Sequence, residues 1–74
     1  MSQETLSIWT VYDHPSDYPH HFAARRWIVG PNIFPTDDIL LADDMDGLRE
    51  QMPSGFVVMA RNEDDDKTIV ETWI

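Results

Sequence analysis

One helix-length stretch, DDMDGLREQM at residues 43–52, stands among segments suited to strands. That ratio constrains the fold more than any other feature of the chain. A single amphipathic helix covers one face of a sheet and no more. Its apolar stripe is narrow. Met45, Leu48 and Met52 fall at i, i+3 and i+7. Asp43 has N-cap chemistry, and Asp44 and Asp46 follow in the first turn, where the helix dipole favours negative charge. Gly47 costs about 1 kcal/mol against alanine inside a helix. Pro53 stops the helix, and Ser54-Gly55 turns the chain.

The remaining segments have strand character. LSIWTVYD, residues 6–13, is rich in β-branched and aromatic residues. Alternation places Leu6, Ile8, Thr10 and Tyr12 on one face and Ser7, Trp9, Val11 and Asp13 on the other. FAARRWIV, residues 22–29, is a second strand. Phe22, Ala24, Arg26 and Ile28 share one of its faces, and Ala23, Arg25, Trp27 and Val29 share the other. Both faces are mixed, so periodicity leaves the buried one open. GPNIFP, residues 30–35, reads as a breaker, and DILLA, residues 38–42, as a short strand. Residues 55–61 and 68–74 form two further strands around the acidic loop NEDDDK. The expected fold is therefore α+β: a small antiparallel sheet of four or five strands in the chain order ββ(β)αββ, with one helix on one face. Residues 1–74 make one domain.

The size limits what such a domain does. A chain of 74 residues buries only about 60% of its unfolded surface. Small-molecule pockets of roughly 300–1,000 Å³ would consume much of so thin a core. A shallow site, or one shared with a second chain, fits better than a deep active site. Three tryptophans are many for this core, so at least one is expected at the surface or beneath a partner.

Charge and composition exclude several classes. Fourteen acidic residues against five basic ones give a formal net charge of −9. That sign repels nucleic acid and anionic lipid, both of which are bound through Lys and Arg. It steers a basic protein partner inward at low salt, and it also keeps a small protein soluble. The absence of cysteine rules out disulfides and thiolate metal sites. The start MSQETLSIW lacks a basic region followed by an apolar run, and no apolar stretch reaches the ~20 residues of a membrane helix. The expected location is the cytoplasm.

YDHPSDYPHHF, residues 12–22, carries the densest chemistry. His14, His20 and His21 are candidate metal ligands, with Asp13 or Asp17 adding oxygen. The spacing does not bring them together. His20 and His21 are adjacent and point apart in extended backbone, while Pro15 and Pro19 stiffen the loop. A rigid polar hairpin connection explains the same residues. Histidine catalysis would need a partner such as Ser16 or Asp17, and GxSxG, HExxH and phosphate-loop patterns are all absent. No cofactor is implied. The acidic clusters fail as an EF-hand. Placing Asp44, Asp46 and Gly47 at loop positions 3, 5 and 6 puts Ala42 first and Pro53 last, where acids are required. Arg25 and Trp27 share a strand face and suit an interface hot spot. The competing reading pairs both arginines with carboxylates and packs Trp27 inside.

Taken together, WTVYDHP, FAARRW, ILLADDMDGLREQMPSGF and IVETWI resemble a group of short, acidic, uncharacterised bacterial and prophage-borne proteins. That group shares a TVYDHP-type start, an R-x-W strand and a VExW-type C-terminus. The resemblance spans nearly the whole chain. It implies a self-contained domain and no particular activity.

These readings favour a non-catalytic protein-binding or regulatory module. Its candidate contact residues are Arg25, Trp27, Asp64, Asp65 and Asp66, and one form of it is a nucleic-acid-mimicking inhibitor of a basic partner. Two alternatives stand beside it. One is a small metal-dependent or histidine-based enzyme using residues 13–21. The other is a homodimeric structural module.

Overall fold

In a computed structural model, the structure describes residues 5–64 and 67–74. Among these, five strands form one antiparallel sheet and one helix joins them. The strands are β1 (Leu6–Asp13), β2 (Phe22–Val29), β3 (Ile33–Ala42), β4 (Val58–Ala60) and β5 (Ile69–Trp73), and α1 (Met45–Gln51) lies between β3 and β4. Their spatial order is β3-β2-β1-β5-β4. Chain-adjacent strands make a three-stranded meander and a hairpin. The pairing of β1 with β5 joins the two.

β1 and β2 run between the boundaries that their composition marks. β3 is longer than expected. The breaker covers only Gly30 to Asn32, and the strand continues through Pro35. Proline cannot donate to a sheet ladder, but β3 is an edge strand with one side unpaired, where proline is tolerated. A bulge follows. Arg25 pairs with Ile39 and Trp27 with Pro35, so Thr36, Asp37 and Asp38 lie opposite Arg26 alone. Arg26 fastens this bulge. Its Nη1 donates to Asp38 at 2.7 Å, its Nε donates to Ser7 Oγ at 3.0 Å, and its carbonyl accepts from Thr36 Oγ1 at 2.8 Å. Such a bulge also blunts the sheet edge against pairing with other chains.

The last two strands, β4 and β5, are shorter than the sequence suggests. β4 keeps only three residues of the segment 55–61. Val57 extends the pairing by exchanging two backbone hydrogen bonds with Ile74.

The helix begins one residue later than expected. Asp44, not Asp43, is the N-cap, and its carboxylate accepts from the Gly47 N–H at 2.6 Å. Only Asp44 stands three residues before an N–H within its reach. Leu48 and Met52, from the predicted stripe, join Trp9, Val11 and Ala24 in the buried cluster. Met45, Phe22, Leu40, Ala42, Phe56, Val70 and Trp73 pack around it. Register puts Trp9 and Val11 beside Arg26 and Ala24, so these core residues come from the Ser7–Trp9–Val11 side of β1.

Gly47 has a specific reason to lack a side chain. A Cβ there would lie 2.9 Å from Asp44 Oδ1, the oxygen that caps the helix. Gly47→Ala alone should therefore fall short of the usual gain of about 1 kcal/mol. The same substitution in an Asp44→Ala background, where the cap is already lost, should recover it. Urea unfolding of the four proteins checks this, and additive effects would contradict it.

Glu71 on β5 is the one buried charged residue among those described. It points to the same side as Val11, its register partner. Arg49 of the helix donates to it from Nη2 at 2.7 Å, and Trp73 donates from Nε1 at 2.6 Å. Burial by itself would raise the Glu71 pKa. The hydrogen bonds from Arg49 and Trp73 and the Arg49 charge outweigh burial and hold the carboxyl below its ordinary value.

Candidate functional site

The residues on the opposite side of the meander form a different surface. Tyr12 pairs with Ala23, Thr10 with Arg25 and Ile8 with Trp27, and Ile39 lies across from Arg25. All belong to the strand faces that alternate with the buried cluster. A half-open cavity of about 450 Å³ lies here. Tyr12, Ala23, Arg25, Trp27 and Ile39 supply its sheet side. Thr68, just before β5, borders it as well.

The β1–β2 connection supplies the remaining wall. His14 takes a left-handed backbone with φ of 48°, which turns the chain out of β1. Its N–H donates to the His21 carbonyl at 3.1 Å and closes the loop at its base. Inside the loop, the Tyr18 N–H donates to the Pro15 carbonyl at 2.9 Å, and the His21 N–H donates to the Tyr18 carbonyl at 3.2 Å. These turns place Pro15, Ser16, Asp17 and Tyr18 along the cavity. The prolines and aspartates that mark a rigid loop in the sequence thus shape a wall.

The two arginines of β2 differ sharply. Arg26 is held by Asp38 and Ser7 on the core side. Arg25 lines the cavity, and among the described residues no carboxylate or other acceptor pairs with it. The expectation that both pair with carboxylates is met only by Arg26. Trp27 is half-buried beside Arg25, and its indole N–H is buried with no hydrogen-bond partner among the described residues. Buried donors of this kind are uncommon in folded proteins. Trp9 is buried and Trp73 half-buried, so none of the three tryptophans is fully exposed.

The histidines do not gather. His14 Nδ1 meets Asp13 Oδ1, and its ring stands edge-on to Phe22 with centroids 5.0 Å apart. His21 Nε2 is 3.8 Å from Asp43 Oδ1, beyond hydrogen-bonding reach, and His20 is exposed. Among the described residues, no three His, Asp or Glu side chains form a group able to hold a metal ion. No hydrogen bond joins Ser16 to a histidine among them either.

Of the acidic candidates, Asp64 stands apart from the cavity. Asp64 is exposed in the β4–β5 connection and is not part of the cavity lining. Asp65 and Asp66 lie outside the described residues. Strand direction still sorts the charges. Asp13, Asp43 and the connection bearing Glu63 and Asp64 fall at the sheet end that carries the histidine loop. Exposed Leu6, Ile33, Phe34, Val57, Val58 and Ile74 fall at the other end.

Tyr12, Tyr18, Ile39 and Thr68 are the cavity residues that sequence reasoning passed over. Alternation already sets Tyr12 on the face of β1 opposite Trp9. Its neighbourhood with Arg25 and Ile39 depends on register across an eight-residue connection and a bulge. No helix among the described residues is long and apolar enough to cross a membrane. Compared with family models, curated proteins and solved structures, the chain finds no match in any of the three.

Proposed function

We propose that this protein is a non-catalytic binding module in which α1 covers one face of the sheet and the opposite face, around Arg25 and Trp27, engages a partner protein. The cavity of about 450 Å³ containing an Arg25 with no acceptor among the described residues carries this reading. An arginine without an acceptor beside aromatic walls matches the residue types that dominate binding energy at interfaces. The helix-covered face is supported by Leu48 and Met52 sharing a buried cluster with Trp9, Val11 and Ala24. The acidic end around Asp13, Asp43 and Asp64 lends long-range steering toward a basic partner, which is the part of the nucleic-acid-mimic reading that the topology favours.

Affinity capture from lysate, at low and high salt, tests the reading. The wild-type chain should retain a partner that Trp27→Ala loses at both salt concentrations, with the variant's circular dichroism unchanged. A partner retained equally by Trp27→Ala would count against the open face. Loss with salt alone, irrespective of Trp27, would move the interaction to the acidic end.

A second reading, self-association, draws on the apolar end. Leu6, Ile33 and Val57 there are 60–68% exposed. Contiguous apolar surface of more than a few hundred Å² commonly marks an interface. Sedimentation across a concentration series reports a dimer directly.

A further inference from the structure

We infer that the cavity beside Arg25 receives the C-terminus of a partner polypeptide, with an apolar final side chain. The inference rests on the open-face reading and names what enters the site. Three features of the cavity select this chemistry. Arg25 is a cation with no acceptor among the described residues, in a chain of net charge −9. A guanidinium fork matches a carboxylate in two parallel hydrogen bonds. Tyr12, Trp27 and Ile39 give the sheet side an apolar surface fit for a side chain. Asp17 lines the loop side and is not ion-paired to Arg25. A carboxylate there repels a simple anion but accepts from an amide N–H. A chain terminus presents that combination: a carboxylate, an adjacent side chain and the N–H groups of its last peptide bonds. Capture of terminal carboxylates is an established mode of peptide recognition. About 450 Å³ holds one large side chain with its carboxylate, and the half-open form lets the rest of the peptide lead away.

The test uses the full chain labelled with nitrogen-15 and three probes. One is acetyl-Gly-Ser-Gly-Phe with a free C-terminus, the second is the same peptide amidated, and the third is 3-phenylpropionate. The readout is the Trp27 indole N–H resonance, assigned by Trp27→Phe. The free peptide should shift it in a saturable way. The amidated peptide should bind roughly ten- to a hundredfold more weakly, as should the free peptide to Arg25→Gln. The comparison of two peptides on the wild-type chain does not depend on how any variant folds. Equal binding of the free and amidated peptides would overturn the carboxylate assignment while leaving the open face in place. Binding of 3-phenylpropionate as tight as the free peptide would overturn the polypeptide assignment in favour of a small acid. No shift with any probe would also overturn the inference, and the capture experiment would then decide the open face by itself.

Discussion

Leu48→Ala is expected to lower the thermal midpoint by roughly 10–30 °C. Leu48 is the largest side chain with no exposure, and it joins the helix to Trp9, Val11 and Ala24. Truncating a buried leucine costs about 2–5 kcal/mol through lost transfer free energy and the cavity left behind. Domains of this size hold only about 4–11 kcal/mol in total. The helix offers little to compensate. It has seven residues, too few to persist without tertiary packing. A variant that loses Leu48 should therefore lose helix and sheet in one transition at lower temperature, followed by circular dichroism. Leu48→Met, which nearly conserves volume, should cost less than about 1.5 kcal/mol. A fall under about 5 °C for Leu48→Ala would mean that the sheet is stable without its helix, since 1 kcal/mol corresponds to about 4–8 °C here.

Glu71→Gln is expected to cost about 1.5–3 kcal/mol at pH 7, the range for hydrogen bonds to a charged group. The substitution keeps the shape and removes the charge that Arg49 and Trp73 both address. Half of Arg49 remains exposed, so water can solvate it in the variant and the cost stays below that of stranding a fully buried ion. The pH dependence carries a definite sign. The folded pKa of Glu71 is depressed below its ordinary 4.5. Its contribution is therefore complete above about 4.5 and disappears as pH falls through the folded value. Protonation of the other carboxylates relieves repulsion in a chain of charge −9 and acts in both proteins alike. The stability difference between wild type and Glu71→Gln should thus be level from pH 8 to 5 and shrink below about 4.5. Denaturant unfolding at several pH values measures it. A difference that grows on acidification would contradict the ion pair.

The contrast between β1 and β3 shows what the sequence reveals. β1 and β2 are legible because dense β-branched and aromatic residues end sharply at Asp-His-Pro and Gly-Pro. β3 is obscured because Pro35 reads as a breaker until its place at the sheet edge is known. β4 is overestimated because its length depends on partners available from β5, a tertiary matter. The helix stripe is read correctly, and its cap is off by one because the adjacent Asp43 and Asp44 offer the same acidic chemistry and only geometry chooses Asp44. The site follows the same pattern. Arg25 and Trp27 share a face by simple alternation. That Arg26 is satisfied, while Arg25 has no acceptor among the described residues, depends on the β3 bulge bringing Asp38 to the core side. The cavity also needs the first strand paired with the last, a contact between distant parts of the chain that no local pattern announces.

We propose that the face around Arg25 and Trp27 meets the partner. Site-specific photocrosslinking in cells addresses it directly. A benzophenone amino acid at Thr10, in the middle of that face and opposite Arg25, is compared with one at exposed Glu50 on the helix. The expected result is a discrete crosslinked species from Thr10 that is missing from Glu50 and disappears with Trp27→Ala. A species formed from Glu50 and not from Thr10 would place the contact on the helix side and contradict the account.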